Sequence, residues 1–300
     1  MLRFIKLRQH WRAAIALAVL PLVLAAAPAA SQHPISFDQG LLWKIVGPTG
    51  KSSYVFGTIH SDDPRVTQIP APVQNALDVS STFTMEMIAG GDAFLEMADR
   101  MFFKDGRTLP DVLGASLYAK TQSALRQRGL PTGDIERKKP WAVVMMLSAP
   151  KPKTGLFLDL ALQMQATLNG KKIYGLETIG EQLAVFDELS MEDQIALLEG
   201  TLSMQDRFDR QLEAMINAYL ARDLSRLMTL AAEHDTNVSE IHDKLMQRLL
   251  FQRNYRMVDR MAPRLKEGSA FIAVGSAHLP GNEGVLTLLA ARGYQISRVY

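Results

Sequence analysis

Ser53-Tyr54-Val55-Phe56-Gly57-Thr58-Ile59-His60 is an apolar run, rich in β-branched and aromatic residues, that closes on a glycine and then a histidine. The phrase returns 218 positions later as Ala270-Phe271-Ile272-Ala273-Val274-Gly275-Ser276-Ala277-His278. Each run reads as a buried strand. A terminal glycine tolerates positive φ and lets other backbone come close, so the chain can turn sharply there. The histidine then sits at the strand's carboxyl end, where open α/β sheets place their ligands. A lone Gly-x-x-His arises often by chance. The weight comes from the repeat of the whole phrase in a chain with only six histidines. The expectation is that two such units lie side by side and point His60 and His278 into one crevice.

Working outward, 300 residues of which 47% are hydrophobic suffice to bury a sizeable core. The first twelve residues carry Arg3, Lys6, Arg8 and Arg12 without an acid, residues 13–24 are apolar, and Ala27-Pro28-Ala29 fits a small-residue cleavage pattern. This is the layout of a secretory signal peptide over residues 1–30, with an apolar part short for a membrane span. An uncleaved anchor is the other reading of the same segment. A polar tail over 31–40 and one domain over 41–300 follow. The expected location is periplasmic or secreted, with no stable membrane span after cleavage. Removing the leader's four basic residues from 33 leaves 29 against 31 acids, a near-neutral balance that gives no support for a nucleic-acid partner. With no cysteine there is no lipid-modified N-terminal Cys, no disulfide and no thiolate metal site.

The predicted fold is α/β (α+β): a mixed central sheet built from an N-terminal hairpin and a C-terminal strand-helix-strand, with a large helical middle packed over it. Residues 41–46 and 54–56 form the hairpin around Gly47-Pro48-Thr49-Gly50 and deliver His60 to the sheet edge. A short helix over 70–79 precedes a strand over 82–87. That strand contains Glu86, an acid costly to bury unless paired or ligating a cation; the plainer reading puts it on the solvent face of an edge strand. Apolar spacing of three and four predicts helices over 93–103, 117–128, 141–147 and 156–168. Met97, Met101, Met145, Met146 and Met164 there read as core filler rather than a soft-metal site.

A strand over 171–174 ends in Gly175-Leu176-Glu177-Thr178. Glu177 is either a site acid or an early-turn acid complementing the dipole of the next helix. Helices over 191–261 carry expected breaks near Asp206, Asp223 and 235–237. His234 and His242, eight apart around a turn, lack the one-turn spacing of a helical metal pair and read as structural. Arg253 ends this region shortly before the strand to His278, where it can face the same crevice. The last two strands, 271–274 and 294–299, flank a helix and are expected to pair in a right-handed parallel crossover.

Gly57-Thr58-Ile59-His60, Gly175-Leu176-Glu177-Thr178 with Gln182, Arg253-Asn254, and Val274-Gly275-Ser276-Ala277-His278-Leu279-Pro280-Gly281 with Gly284-Val285-Leu286 together resemble the TraB/PrgY/GumN family. The resemblance runs from about residue 41 to 299 and is most specific in its C-terminal block. The Tiki proteases are related to this family. The resemblance implies a fold shared with erythromycin esterases and haem-binding ChaN-like proteins. It also implies that His60, His278 and Glu86 are site residues, with Arg253 a fourth. The C-terminal hydrophobic segment of the animal members has no counterpart here, so membrane tethering of the Tiki kind is not expected.

Two imidazoles and a carboxylate suit a divalent ion such as Mn²⁺, Co²⁺, Fe²⁺ or Zn²⁺, with His60, Glu86 and His278 as ligands. Such an ion would acidify a water for attack on a peptide or small ester, Glu177 or a nearby carboxylate carrying a proton and Arg253 holding a substrate carboxylate or the oxyanion. The same residues support a metal-free esterase-like hydrolase in which a histidine is the base, or a non-enzymatic protein that sequesters peptides. Haem binding is the weakest reading, because shared fold does not carry function.

Overall fold

The structure, a computed structural model, describes residues 37–88, 90–232 and 245–300. The signal-peptide reading, His234, His242 and the break at 235–237 lie outside the described residues. Strands β1 (Leu42–Val46), β2 (Ser52–Thr58), β3 (Thr82–Met85), β4 (Lys172–Gly175), β5 (Ala270–Gly275) and β6 (Gln295–Arg298) form one mixed sheet in the order β4-β3-β5-β2-β1-β6. The inner run β4-β3-β5-β2 is parallel throughout. β1 is antiparallel to both β2 and β6. The two repeated phrases are immediate neighbours, with Gly57 opposite Val274 and Thr58 opposite Gly275.

Three expectations are corrected by this order. β2 is an interior strand, so the hairpin carries His60 to the carboxyl end of a central strand and not to a strand at the side of the sheet. β3 is likewise interior and all four of its residues are buried, which removes the edge-strand reading of Glu86. β5 and β6 do not pair: both edges of β5 are taken by β2 and β3, so β6 crosses to the open edge of β1.

The helices are α1 (Pro64–Thr67), α2 (Ala71–Val79), α3 (Gly91–Arg100), α4 (Leu109–Gln127), α5 (Pro140–Ser148), α6 (Leu158–Leu168), α7 (Ile179–Asp187), α8 (Met191–Leu220), α9 (Leu224–Ala232), α10 (Gln252–Glu267) and α11 (Val285–Ala291). α8 runs unbroken through Asp206, against expectation, because Met204 and Phe208 either side of it are core residues that continue the buried stripe. One apolar cluster wraps the sheet and takes in Phe37, which meets Trp43 edge-on at 5.3 Å. A second, around Trp141, Leu125, Phe186 and Leu198, lies within the helical middle, where Met97, Met101, Met145 and Met146 pack against it. Met164 is exposed.

The glycines of the repeated phrase work by closeness, not by turning: neither Gly57 nor Gly275 has a positive φ. A Cβ on Gly57 would lie 2.6 Å from Leu279 Cδ1 and 3.1 Å from Ser276 Cα. One on Gly275 would lie 3.2 Å from a Glu86 carboxylate oxygen and 3.4 Å from the His278 ring. Gly57→Ala is therefore expected to lower the stability of the protein by about 1–3 kcal/mol, as overpacking does. Gly133→Ala, where a Cβ meets nothing within 4 Å, should change it little. Denaturant midpoints of the two variants check this.

Candidate functional site

Four parallel strands end on one edge of the sheet, and each is followed there by a residue singled out from the sequence. Glu177 follows β4, Glu86 follows β3, His278 follows β5 and His60 follows β2. Neighbouring strands lie about 4.8 Å apart, so the four side chains leave the sheet in a row.

Glu86 is the most heavily engaged. Its Oε1 accepts the Gly275 N–H at 2.6 Å, and its Oε2 lies 2.5 Å from Nη2 of Arg253. The same Arg253, from α10, donates through Nε and Nη2 to Oε2 of Glu177 at 2.9 and 2.7 Å, and its Nη1 donates to the Leu249 carbonyl at 3.2 Å. A π-helical turn over Gln247–Phe251 leads into this arginine; such turns recur at functional sites. Glu177 is fully buried, pairs also with Arg256 at 3.4 Å, and extends the β3–β4 ladder by donating its N–H to the Glu86 carbonyl. Its place is in an ion-pair network, not on the helix dipole. Burial alone would raise the pKa of Glu86, but the charge of Arg253, followed by His278 and the Gly275 N–H, holds it down at about 2. The carboxylate is ionised near pH 7.

His278 is buried against this group, its Nε2 lying 3.6 Å from Glu86 Oε1. Its Nδ1 is 2.6 Å from Asn254 Oδ1, while Asn254 Nδ2 donates to the Glu283 carbonyl at 2.8 Å. That second bond fixes which way the amide faces, and so assigns the proton to Nδ1 and leaves Nε2 bare. Burial, against the attraction of Glu86 and with the repulsion of Arg253, lowers the His278 pKa to about 4. The ring is neutral near pH 7.

His60 differs in every respect. Its side chain is 59% exposed, its ring stacks on Phe157 with centroids 4.3 Å apart, and its Nδ1 lies 3.5 Å from Asp159 Oδ2. Desolvation works to lower its pKa, but the neighbouring Asp159 carboxylate, with the charges of Glu86 and Asp62 behind, raises it above the ordinary value.

The bare Nε2 of His278 lies beside an ionised carboxylate oxygen, and an amide contact like that of Asn254 orients an imidazole so that its other nitrogen is available. The donor types fit a divalent ion. Among the described residues no three His, Asp or Glu side chains form a group that would hold one ion, so His60 stands one strand away from the close pair. Arg253, with Nε, Nη1 and Nη2 all bonded, clamps the two glutamates. A cavity of about 360 Å³ opens elsewhere, between Leu41, Phe56, Leu158, Tyr219 and Tyr300, and none of the five expected site residues lines it. Asp159, Phe157 and Asn254 had no role assigned from the sequence. Asp159 lies in the first turn of α6, where acids are common for dipole reasons alone, and so carried no distinguishing signal.

The model of the TraB/PrgY/gumN family matches residues 41–298. The chain is 26% identical to "Metalloprotease TIKI2" of Xenopus tropicalis over 81% of its own length and 57% of that protein. It is 26% identical to "Metalloprotease TIKI1" of Danio rerio, covering 88% of this chain and 64% of the relative. An "Uncharacterized protein" of Treponema pallidum is 23% identical, with 86% and 82% covered. The chain thus spans about six tenths of the length of the first two relatives. No solved structure matches it. No helix among the described residues is long and apolar enough to cross a membrane.

The two pKa values set a pH dependence. The His278 pKa lies below the ordinary 6.5, so the unfolded chain takes up a proton before the folded one does, and stability falls as pH drops from 6.5 toward 4. Glu86, depressed from 4.5 to about 2, continues the loss at lower pH with the same sign. His60, raised, acts oppositely and weakly because it is exposed. Urea midpoints of the metal-free protein should show a loss of up to about 3 kcal/mol across the first window, and His278→Gln should flatten that window while sparing the decline below pH 4.5.

Proposed function

The chain belongs to the TraB/PrgY/gumN family, and we propose that it is an exported, metal-dependent hydrolase of peptides, with His60, Glu86 and His278 as its ligand set. The observation that carries this reading is the tethered His278 ring presenting a bare Nε2 3.6 Å from the ionised Glu86. The relatives named metalloproteases support the same class of chemistry.

In this reading Glu86 and His278 form the fixed half of the site. Arg253 and the Gly275 N–H hold the carboxylate, and Asn254 holds the imidazole. Glu177 anchors Arg253 from behind, a role that replaces proton carriage because its side chain is sealed from solvent. A bound divalent ion of the Mn²⁺, Co²⁺, Fe²⁺ or Zn²⁺ type supplies Lewis acidity toward a peptide carbonyl and toward water. His60, the accessible imidazole after the neighbouring strand β2, would complete the set through its Nε2 by moving toward this pair. A second reading is favoured by the His60–Asp159 pair: an imidazole beside a carboxylate can take a proton from water with no ion, as a metal-free hydrolase of peptides or small esters would.

Purified protein refilled with Mn²⁺ or Co²⁺ should carry about one ion per chain by elemental analysis and cleave a peptide library in a chelator-sensitive way. His278→Ala or Glu86→Gln should lose the ion and lower kcat/KM by more than about 100-fold. Hydrolysis that survives chelator with no ion bound selects the metal-free reading. Peptide binding without turnover selects sequestration, and a Soret band selects haem. Cell fractionation and the N-terminal residue of the recovered protein test export.

A further inference from the structure

We infer that Asp159 is a positioning residue for His60: its buried Oδ2 receives the Nδ1–H of that ring, fixing the tautomer in which Nε2 is the bare nitrogen. The inference rests on the reading of His60 as a site residue and assigns it a partner. The first observation is an imbalance within one carboxylate. Oδ1 of Asp159 accepts the Thr58 hydroxyl at 2.6 Å, whereas Oδ2 is buried and has no hydrogen-bond partner. A buried carboxylate oxygen left unsatisfied costs several kcal/mol at most sites. His60 Nδ1, 3.5 Å away, is a nitrogen half an ångström beyond a normal bond, and a small in-plane shift of the ring on Phe157 would close it.

The second observation is that the chain is built to bring these groups together. Asp62, two residues after His60, accepts the backbone N–H groups of Lys153, Thr154 and Gly155 on a single oxygen at 2.6, 2.8 and 2.9 Å. The Leu158 N–H donates to the Ser61 carbonyl at 3.1 Å. The loop after β2 is therefore latched to the loop that presents Phe157 and Asp159. A carboxylate spent on three amides has little reason to lie there except to hold those two segments in register.

The third observation is the symmetry with the other imidazole. His278 is held by Nδ1 on Asn254 Oδ1, and His60 stands with Nδ1 toward Asp159 Oδ2, so each ring has its orienter and each keeps Nε2 for chemistry. The orienters differ in charge. One is an amide oxygen that also has its own backbone tether, and the other is a carboxylate oxygen with no other partner.

The test is the ring tautomer, read by long-range proton–nitrogen correlation on metal-free, ¹⁵N-histidine-labelled protein at a pH where His60 is neutral. The wild-type chain should show His60 as the Nδ1–H form. Asp159→Ala should release that preference and lower kcat by about 10–100-fold with KM little changed, as loss of a ring-orienting partner does. Asp159→Asn, which keeps an acceptor, should restore the tautomer and part of the rate. A wild-type His60 in the Nε2–H form, or a tautomer indifferent to Asp159→Ala, would overturn the inference. The wild-type spectrum decides even if the alanine variant does not fold. Because it needs neither metal nor turnover, it also stands apart from any failure of the hydrolase reading.

Discussion

A single guanidinium bridges two acids at the carboxyl edge of the sheet, and the rest of the site is arranged around that contact. Arg253 reaches from α10 to Glu177 behind β4 and to Glu86 behind β3. Without it a buried and a partly buried carboxylate would lie side by side, and one would be driven toward taking up a proton. With it, and with Arg256 on the far side of Glu177, the charges balance. Buried ion pairs rarely add net stability over an apolar substitute, because desolvation consumes most of the attraction. This one is better understood as a specificity device: it keeps Glu86 ionised, stationary and turned toward the Gly275 N–H and His278.

That fixed carboxylate divides the crevice into a rigid and an accessible part. On the rigid side, Glu86, His278 and Asn254 form a chain held by the Gly275 N–H, Arg253 and the Glu283 carbonyl, with His278 Nε2 as its one unpartnered acceptor. On the accessible side, His60 sits on an aromatic plate with a carboxylate at its Nδ1 and its remaining surface open to solvent. The two histidines share a sequence phrase and a parallel register, yet their surroundings give them opposite tendencies toward a proton.

Much of the fold could be read from local chemistry. The repeated strand phrase, the hairpin turn at Gly47-Pro48-Thr49-Gly50 and the helix breaks at Pro and Gly follow from period and turn propensity, and the structure keeps them, although α4 begins at Leu109, eight residues before its expected start. The long-range order was less legible. The pairing of β6 with β1 rather than β5 depends on which sheet edges remain free after β2 and β3 have flanked β5, and no window along the chain records that. The unbroken α8 similarly passes an aspartate because the buried stripe on either side outweighs a weak helix former.

For the site, the sequence by itself determined the residue types and their strand ends: two histidines after glycine-closed strands, two glutamates after two others, and an arginine in the helical region before the last histidine's strand. The structure puts that arginine in the first turn of α10, not near its C-terminal end. Their chemistry is intrinsic, and their distance from a strand end is a property of the local chain. Only the tertiary structure decided the partners. It set Arg253 against the glutamates and Asn254 against His278, and it brought Asp159 from a helix start about a hundred residues away to the side of His60. The reason is physical: a side chain's charge state and orientation are set by the groups packed within a few ångströms of it, and in a parallel sheet those groups come from segments far apart in the chain.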